Sequence, residues 1–317
     1  MKLVRAEENK AVKKAILKTV AFFDLFDYPL TSYEIWRYLL FVNTSLDNVI
    51  ENLDDQENIK NISNKNGFYF LINRENIIKT RHNRYNFSYH KQKIAKKIAK
   101  IFRLIPWIKM IAVGNIVGSH NLKDESDIDL FIITKKSRIW LTRFFCVLII
   151  KVLNLRPQKN NKRNKICLSF FISEQNLNLQ ELVLTKELNN KDIDIYFIYW
   201  LIGLVVIYDS DIVYKNFVQD NNWLDKYLPN YSFKQKNLID IEKIEKIKSS
   251  NINKFLNFLE DVVKKIQLKI MPDELKNIKN KNTSVVVNDQ IIKLHLDDRR
   301  EEIKNNFAKK MNLINLQ

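Results

Sequence analysis

Residues 112–134 read AVGNIVGSHNLKDESDIDLFIIT. Two of the chain's four glycines, Gly114 and Gly118, fall inside this stretch, ahead of the acidic pair Asp127 and Asp129. Glycine averages about 7% of ordinary chains, so a sequence this poor in it keeps it where a side chain does not fit or the backbone must turn. The flanking runs, KMIAVG and DIDLFIIT, have the length and β-branched content of strands. Residues two apart on a strand point the same way, which sets the two carboxylates side by side. Like charges held that close call for a cation between them. Paired carboxylates on a rigid strand suit Mg²⁺, which commonly binds through one or two carboxylates plus substrate phosphates. A turn at Gly114 brings backbone amides toward such phosphates. Gly118, Ser119 and His120 form a second candidate turn, in which His120 reads as a loop residue.

With those residues in place, the stretch resembles the nucleotidyltransferase superfamily, the DNA polymerase beta-like fold. That family's signature is a Gly-Ser turn followed about a dozen residues later by Asp-x-Asp on the next strand. The resemblance covers about 109–173. It puts Gly114 and Asn115 at the phosphate-binding turn, with Asn115 in place of the serine, and Ser126 just before the metal pair Asp127 and Asp129. It implies a central mixed sheet flanked by helices, a nucleoside triphosphate as substrate and two Mg²⁺ ions. The implied reaction moves a nucleoside monophosphate to an acceptor hydroxyl and releases pyrophosphate. The order of segments along the chain also resembles bacterial nucleotidyltransferase-domain proteins of unassigned substrate. One departure bears on activity. A third acid is expected on the following strand, and KICLSFFIS, 165–173, offers Cys167 and Ser169 there. The alternative reading is therefore a non-catalytic nucleotide sensor or nucleic-acid-binding regulator that keeps the transferase fold.

Upstream, Ile16, Val20 and Phe23 recur at helical spacing until Tyr28-Pro29 breaks the helix. Thr31 with Glu34 is a capping-box signal for a second helix over 32–40. A third helix begins near Ser45, and Asn66-Gly67 between two β-prone runs reads as a hairpin. Three helices and a hairpin predict an N-terminal winged helix-turn-helix domain over 1–88. Asp47, Glu51, Asp54, Asp55 and Glu57 on its third helix oppose a polyanion, which favours a protein contact or a structural role over major-groove reading. Charge then reverses. From Lys60 to Met110 the acids reduce to Glu75, against Arg74, Lys79, Arg81, Arg84, Lys91, Lys93, Lys96, Lys97, Lys100, Arg103 and Lys109. This predicts an amphipathic helix with a basic outer face, ending near Pro106, and makes 60–110 the candidate nucleic-acid surface.

The net charge of +17 is weaker support for that partner, because the joint bias toward Lys, Asn and Ile is what an AT-rich coding sequence produces. The transferase core is expected over 89–180 and a mostly helical domain over 181–317. Within the latter, 195–208 reads as one buried helix, too short to cross a bilayer. Asp209 and Asp211 read as a helix end and a cap. The stretch from Asp297 to Arg300 reads as helix capping and surface ion pairs, with contact to a nucleotide or metal as the alternative if this segment folds over the site. Cys146 and Cys167 have no partner at metal-ligand spacing and read as buried thiols, while His82 and His90 read as surface residues. Ser169 reads as a strand serine, with no histidine tied to it in sequence. The charged N-terminal decapeptide lacks a signal-peptide core, so a cytoplasmic protein without membrane contact is expected.

Overall fold

In a computed structural model of the chain, which describes residues 2–55, 60–114, 120–158, 160–184, 193–210, 212–232 and 250–315, a central sheet is built from strands apolar on both faces. The core strands are β3 (Ile108–Val113), β4 (Ile128–Thr134) and β5 (Ile166–Ser173), joined by β6 (Val205–Asp209), β7 (Val285–Val287) and β8 (Ile291–Leu294). Strands buried on both sides need helices on both sides. Met110, Ala112, Phe131 and Ile133 face one helical layer; Ile111, Val113, Leu130 and Ile132 face the other. The strand order is β6-β3-β4-β5-β8-β7, with β4 and β5 parallel and the other neighbours antiparallel. The protein is thus an α+β fold with a mixed sheet and flanking helices.

The N-terminal elements are α1 (Lys2–Asp24), α2 (Ser32–Arg37), α3 (Leu46–Asp54) and the hairpin β1 (Ile62–Lys65) and β2 (Phe68–Leu71). Thr31 and Glu34 form the expected capping box, and Ser45 caps α3. Asn66 and Gly67 both have positive φ, 54° and 77°, as a two-residue hairpin turn of this type demands. This unit packs on the first layer together with α6 (Ile195–Ile202), α7 (Val213–Asp220) and Ile303 of α10 (Arg300–Asn315). One core cluster therefore runs from Val12 to Ile303, through all three segments into which the sequence divides. Positions 88 and 180 fall inside α4 (Ile77–Phe102) and inside a 3-10 turn at Gln180–Leu182. The second layer holds α4, α5 (Ile139–Val152), α8 (Ser250–Lys269) and α9 (Asp273–Ile278).

Two expectations change. The apolar run 195–208 is not one helix: α6 stops at Ile202, Gly203 caps it, and Val205–Asp209 pairs with β3 as β6. A continuous apolar run does not distinguish a buried helix from a buried strand, and here the β-branched end joined an open sheet edge. The basic outer face of α4 is also smaller than expected. Lys93, Lys96, Lys97 and Lys100 are exposed, but Lys91 is 1% exposed and points inward. Arg81 grips Glu34 through two hydrogen bonds of 2.7 and 2.9 Å and lies over the rings of Tyr28 and Phe68. Arg74 pairs with Asp24 and Asp27, and Arg84 with Asp27. These cations fasten α4 and the turn before it to α1 and α2 and the turn between them. His82 and His90 are exposed, as expected. Among the described residues, no helix is long and apolar enough to cross a membrane.

Candidate functional site

The odd-numbered positions of β4 face the layer that holds α6, so Asp129 and the residue just before the strand, Asp127, open onto that side. Across the parallel pairing Asp129 stands opposite Cys167. The register then shifts between Asp129 and Phe131, leaving an extra residue in β5 so that Phe131 meets Phe170. Such a bulge re-aims side chains, and here it turns Ser169 toward the same cavity as Asp127 and Asp129. One ligand atom each from Asp127, Asp129 and Cys167 lies within 4.8 Å of the others. Two hard oxygen donors and one soft sulfur at that separation fit a divalent cation, although Mg²⁺ by itself favours oxygen ligands. Burial raises the pKa of Asp127 from its ordinary value, opposed by a hydrogen bond from its own backbone amide and by the charges of Lys162 and Lys91. Burial also raises the Cys167 thiol well above its ordinary value.

Lys91 organises the approach to the pair. Its ammonium donates to the carbonyls of Asp124, at 2.9 Å, and Ser126, and to Asn164 Oδ1 at 3.0 Å. It thereby ties the loop before β4 to the loop before β5. The hydroxyl of Ser126 donates to Lys123 O at 2.9 Å, closing the turn. Gly114 lines the cavity, but its amide donates to Asp129 O at 2.9 Å and so continues the β3–β4 ladder. Its lack of a side chain has a separate cause: a Cβ there would lie 3.1 Å from Trp200, closer than nearly all real contacts. Asn115, Gly118 and Ser119 lie outside the described residues, as does Asp211. Asp209 accepts from the amides of Val213 and Tyr214 and caps α7 from the end of a strand.

The site sits in a cavity of about 550 Å³ whose walls come from distant parts of the chain. Leu25, Phe26 and Asp27 from the turn after α1, with Arg84, form one wall; Tyr196, Phe197 and Trp200 of α6 form another. The third wall is the connection from β8 into α10, where Lys293, His295 and Asp297 to Arg300 line the space. The 297–300 stretch is therefore more than surface capping. Arg299 fits that reading, in an exposed pair with Glu302, and Asp298 accepts from the Arg300 amide at the start of α10. Arg300 is 4% exposed and donates to Asp298, Asp194, Leu182 O and Thr283 Oγ1. Burial would push the Asp298 carboxyl up, but hydrogen bonds from Arg300 and the charges of Lys293 and Arg300 bring it down to about 2. Burial beside Arg300 pushes Lys293 down to about 8.

His295 is the site residue that sequence reading missed. Its Nε2 lies 3.2 Å from Ser169 Oγ, because β8 runs beside β5 and Phe170 pairs with Lys293. Burial first, and the charge of Lys293 second, push its pKa down to about 3, so the ring is neutral; Nδ1 is buried without a partner among the described residues. The cluster of titratable residues in LHLDDRR, at the end of a β-prone run, is the signal that marks it. Spacing gave no link, since 126 residues separate the serine from the histidine. Lys123, at the cavity edge, has no ionic partner among the described residues. No protein family, curated protein or solved structure matches the chain.

Proposed function

We propose that this cavity is the active site of a metal-dependent nucleotidyltransferase that moves a nucleoside monophosphate from a nucleoside triphosphate to an acceptor hydroxyl. The observation that carries the reading is the placement of Asp127 and Asp129 on one face of a strand end, with Cys167 in ligand range, at the wall of a cavity large enough for a nucleotide. Asp127 and Asp129 hold the divalent ions, Mg²⁺ in the first instance. Lys123 meets the triphosphate at the rim; the phosphate-binding role expected of Asn115 falls on a position outside the described residues. When bound, the ions stabilise charge on the transferring phosphoryl group and its leaving group. The acceptor oxygen bonds to the α-phosphorus, the bond from the α-phosphorus to the bridging oxygen breaks, and pyrophosphate leaves with that electron pair. The hydroxyl proton goes to solvent base, because a thiol stands where a carboxylate would take it. This chemistry is consequently slow and accelerates with pH.

The rival reading, a nucleotide-sensing or nucleic-acid-binding regulator, draws on the same thiol and on the exposed lysines of α4. It is weakened by the use of Arg74, Arg81 and Arg84 as internal fasteners and by the exposed acids Asp47, Glu51 and Asp54 on α3. The wing-like N-terminal unit instead supplies a wall of the cavity. The test is pyrophosphate release from labelled nucleoside triphosphates over a panel of hydroxyl acceptors with Mg²⁺ or Mn²⁺. Wild-type activity lost in Asp127→Ala plus Asp129→Ala supports the proposal. Equal activity in both proteins refutes it, and salt-sensitive nucleic-acid binding that survives the double substitution, with no turnover, favours the rival.

A further inference from the structure

On the opposite face of the sheet, between α5, α8 and α9, lies a second cavity of about 250 Å³. Phe144, Val147, Leu148, Ile270 and Leu275 line it, and three of them stay open to solvent, at 37% for Phe144, 44% for Leu148 and 72% for Ile270. An apolar recess of this kind is ordinarily closed by packing. This one instead contains a cation. Arg143 reaches into it from α5, donates one hydrogen bond to the neutral amide oxygen of Gln267, and leaves its Nε buried with no partner. Gln267 is itself held by Trp140 O, so the arginine is fixed in place.

Among the described residues, no carboxylate pairs with Arg143, nor with Lys151 and Arg156, which also line the cavity. Arg300 by comparison bonds two carboxylates and Lys293 bonds Asp298, while buried Lys91 spends its ammonium on two carbonyls and Asn164 Oδ1. Burial, reinforced by the nearby charge of Arg156, pushes the Arg143 pKa down to about 10. An uncompensated buried charge is expensive to keep, and such a group is normally paired. The missing element is an anion, and apart from Gln267, Lys151 and Arg156 the lining is apolar.

We propose that this cavity binds a single-chain anionic amphiphile, a fatty acyl carboxylate, with its head on Arg143 and its chain along Phe144, Leu148 and Ile270. The planar guanidinium matches a carboxylate's two oxygens, and Arg156 and Lys151 add positive potential at the mouth. A recess between helices takes one chain, whereas attachment to a bilayer would use side chains that project. The inference stands apart from the nucleotidyltransferase reading, since it uses the other face of the sheet.

Calorimetric titration of the full chain with dodecanoate, below its micellar concentration, tests it against dodecanol, which lacks the charge, and butyrate, which lacks the chain. Saturable binding of one dodecanoate per protein is expected, with dodecanol and butyrate weaker by about tenfold or more. Arg143→Met lowers dodecanoate affinity by about tenfold or more and leaves dodecanol unchanged. Leu148→Glu, at a partly exposed position that tolerates polarity, sets a negative charge at the mouth and abolishes dodecanoate binding; it carries the test if melting shows that Arg143→Met does not fold. Absence of saturable binding, equal affinity for dodecanol, or affinity unchanged in both variants overturns the proposal. So does attachment only to anionic vesicles, or self-association through this face that leaves no dodecanoate bound.

Discussion

Replacing Arg300 by Leu is expected to destabilise the protein by about 3 kcal/mol. The guanidinium is 3% exposed and bonds Asp298 at 2.7 Å, Asp194 at 3.0 Å, Leu182 O at 2.7 Å and Thr283 Oγ1 at 2.8 Å. Removing one partner of a buried pair costs about 3–5 kcal/mol, because the other charge is left uncompensated. The low end applies here. Asp298 keeps Lys293 at 3.3 Å, and Asp194 keeps the amides of Leu184 and Phe197 at 3.1 and 3.0 Å. For a chain of this size the loss corresponds to about 5 °C in melting temperature. Urea unfolding followed by circular dichroism measures it through the midpoint, with the slope unchanged. A loss under about 1 kcal/mol refutes the reasoning, since it means that the network is hydrated or rearranges freely. The pH dependence provides a second check. The folded pKa of Asp298 is depressed to about 2, so its contribution is present above its unfolded value near 3.9 and is lost as pH falls toward 2. Asp194 has the opposite sign: burial raises its folded pKa, so its contribution declines as pH rises above the unfolded value. The gap between wild type and Arg300→Leu should accordingly narrow on acidification through pH 4 to 2.

Lys91→Met leaves three oxygen acceptors behind Asp127 without their donor and is expected to cost about 2 kcal/mol and to weaken divalent-ion binding; a variant that binds ions as wild type does contradicts the positioning role. Because burial raises the Asp127 pKa, protons compete with the ion to higher pH than at an ordinary aspartate. Mg²⁺ affinity measured by calorimetry should climb as pH rises above 3.8 and level off once Asp127 is ionised; a flat profile from pH 4 to 7 counts against its use as a ligand. If Cys167 joins the ligand set for softer ions, Co²⁺ will give a near-ultraviolet thiolate charge-transfer band that Cys167→Ser removes, while Mg²⁺ affinity changes by about twofold or less. A Co²⁺ complex with no such band places the thiol outside the ligand set.

The side-by-side placement of Asp127 and Asp129 was legible because its evidence is local: two carboxylates at strand spacing, behind a glycine in a chain that has almost none. The capping box at Thr31 and Glu34 and the Asn66-Gly67 turn were legible for the same reason, since each depends on backbone geometry within four residues. The roles of Gly114 and Lys91 were not. Gly114 is required by Trp200, 86 positions away, and Lys91 by carbonyls in two later loops, so helical periodicity counted that lysine among the exposed ones.

The sequence by itself determined the strand that carries Asp129 with Asp127 at its start, the capped helices before it and the alternation that buries both faces of the sheet. Each follows from spacing along the backbone, where a few neighbours decide the outcome. Only the tertiary structure decided that β8 lies against β5, bringing His295 to Ser169, and that α6 ends early so that β6 can cover the edge of β3. It also decided which cations stay in water and which are buried among carboxylates, carbonyls or side-chain amides. Those choices come from pairing between segments far apart in the chain. There the free energy of closing a sheet edge or neutralising a buried charge outweighs the local preference of any one stretch.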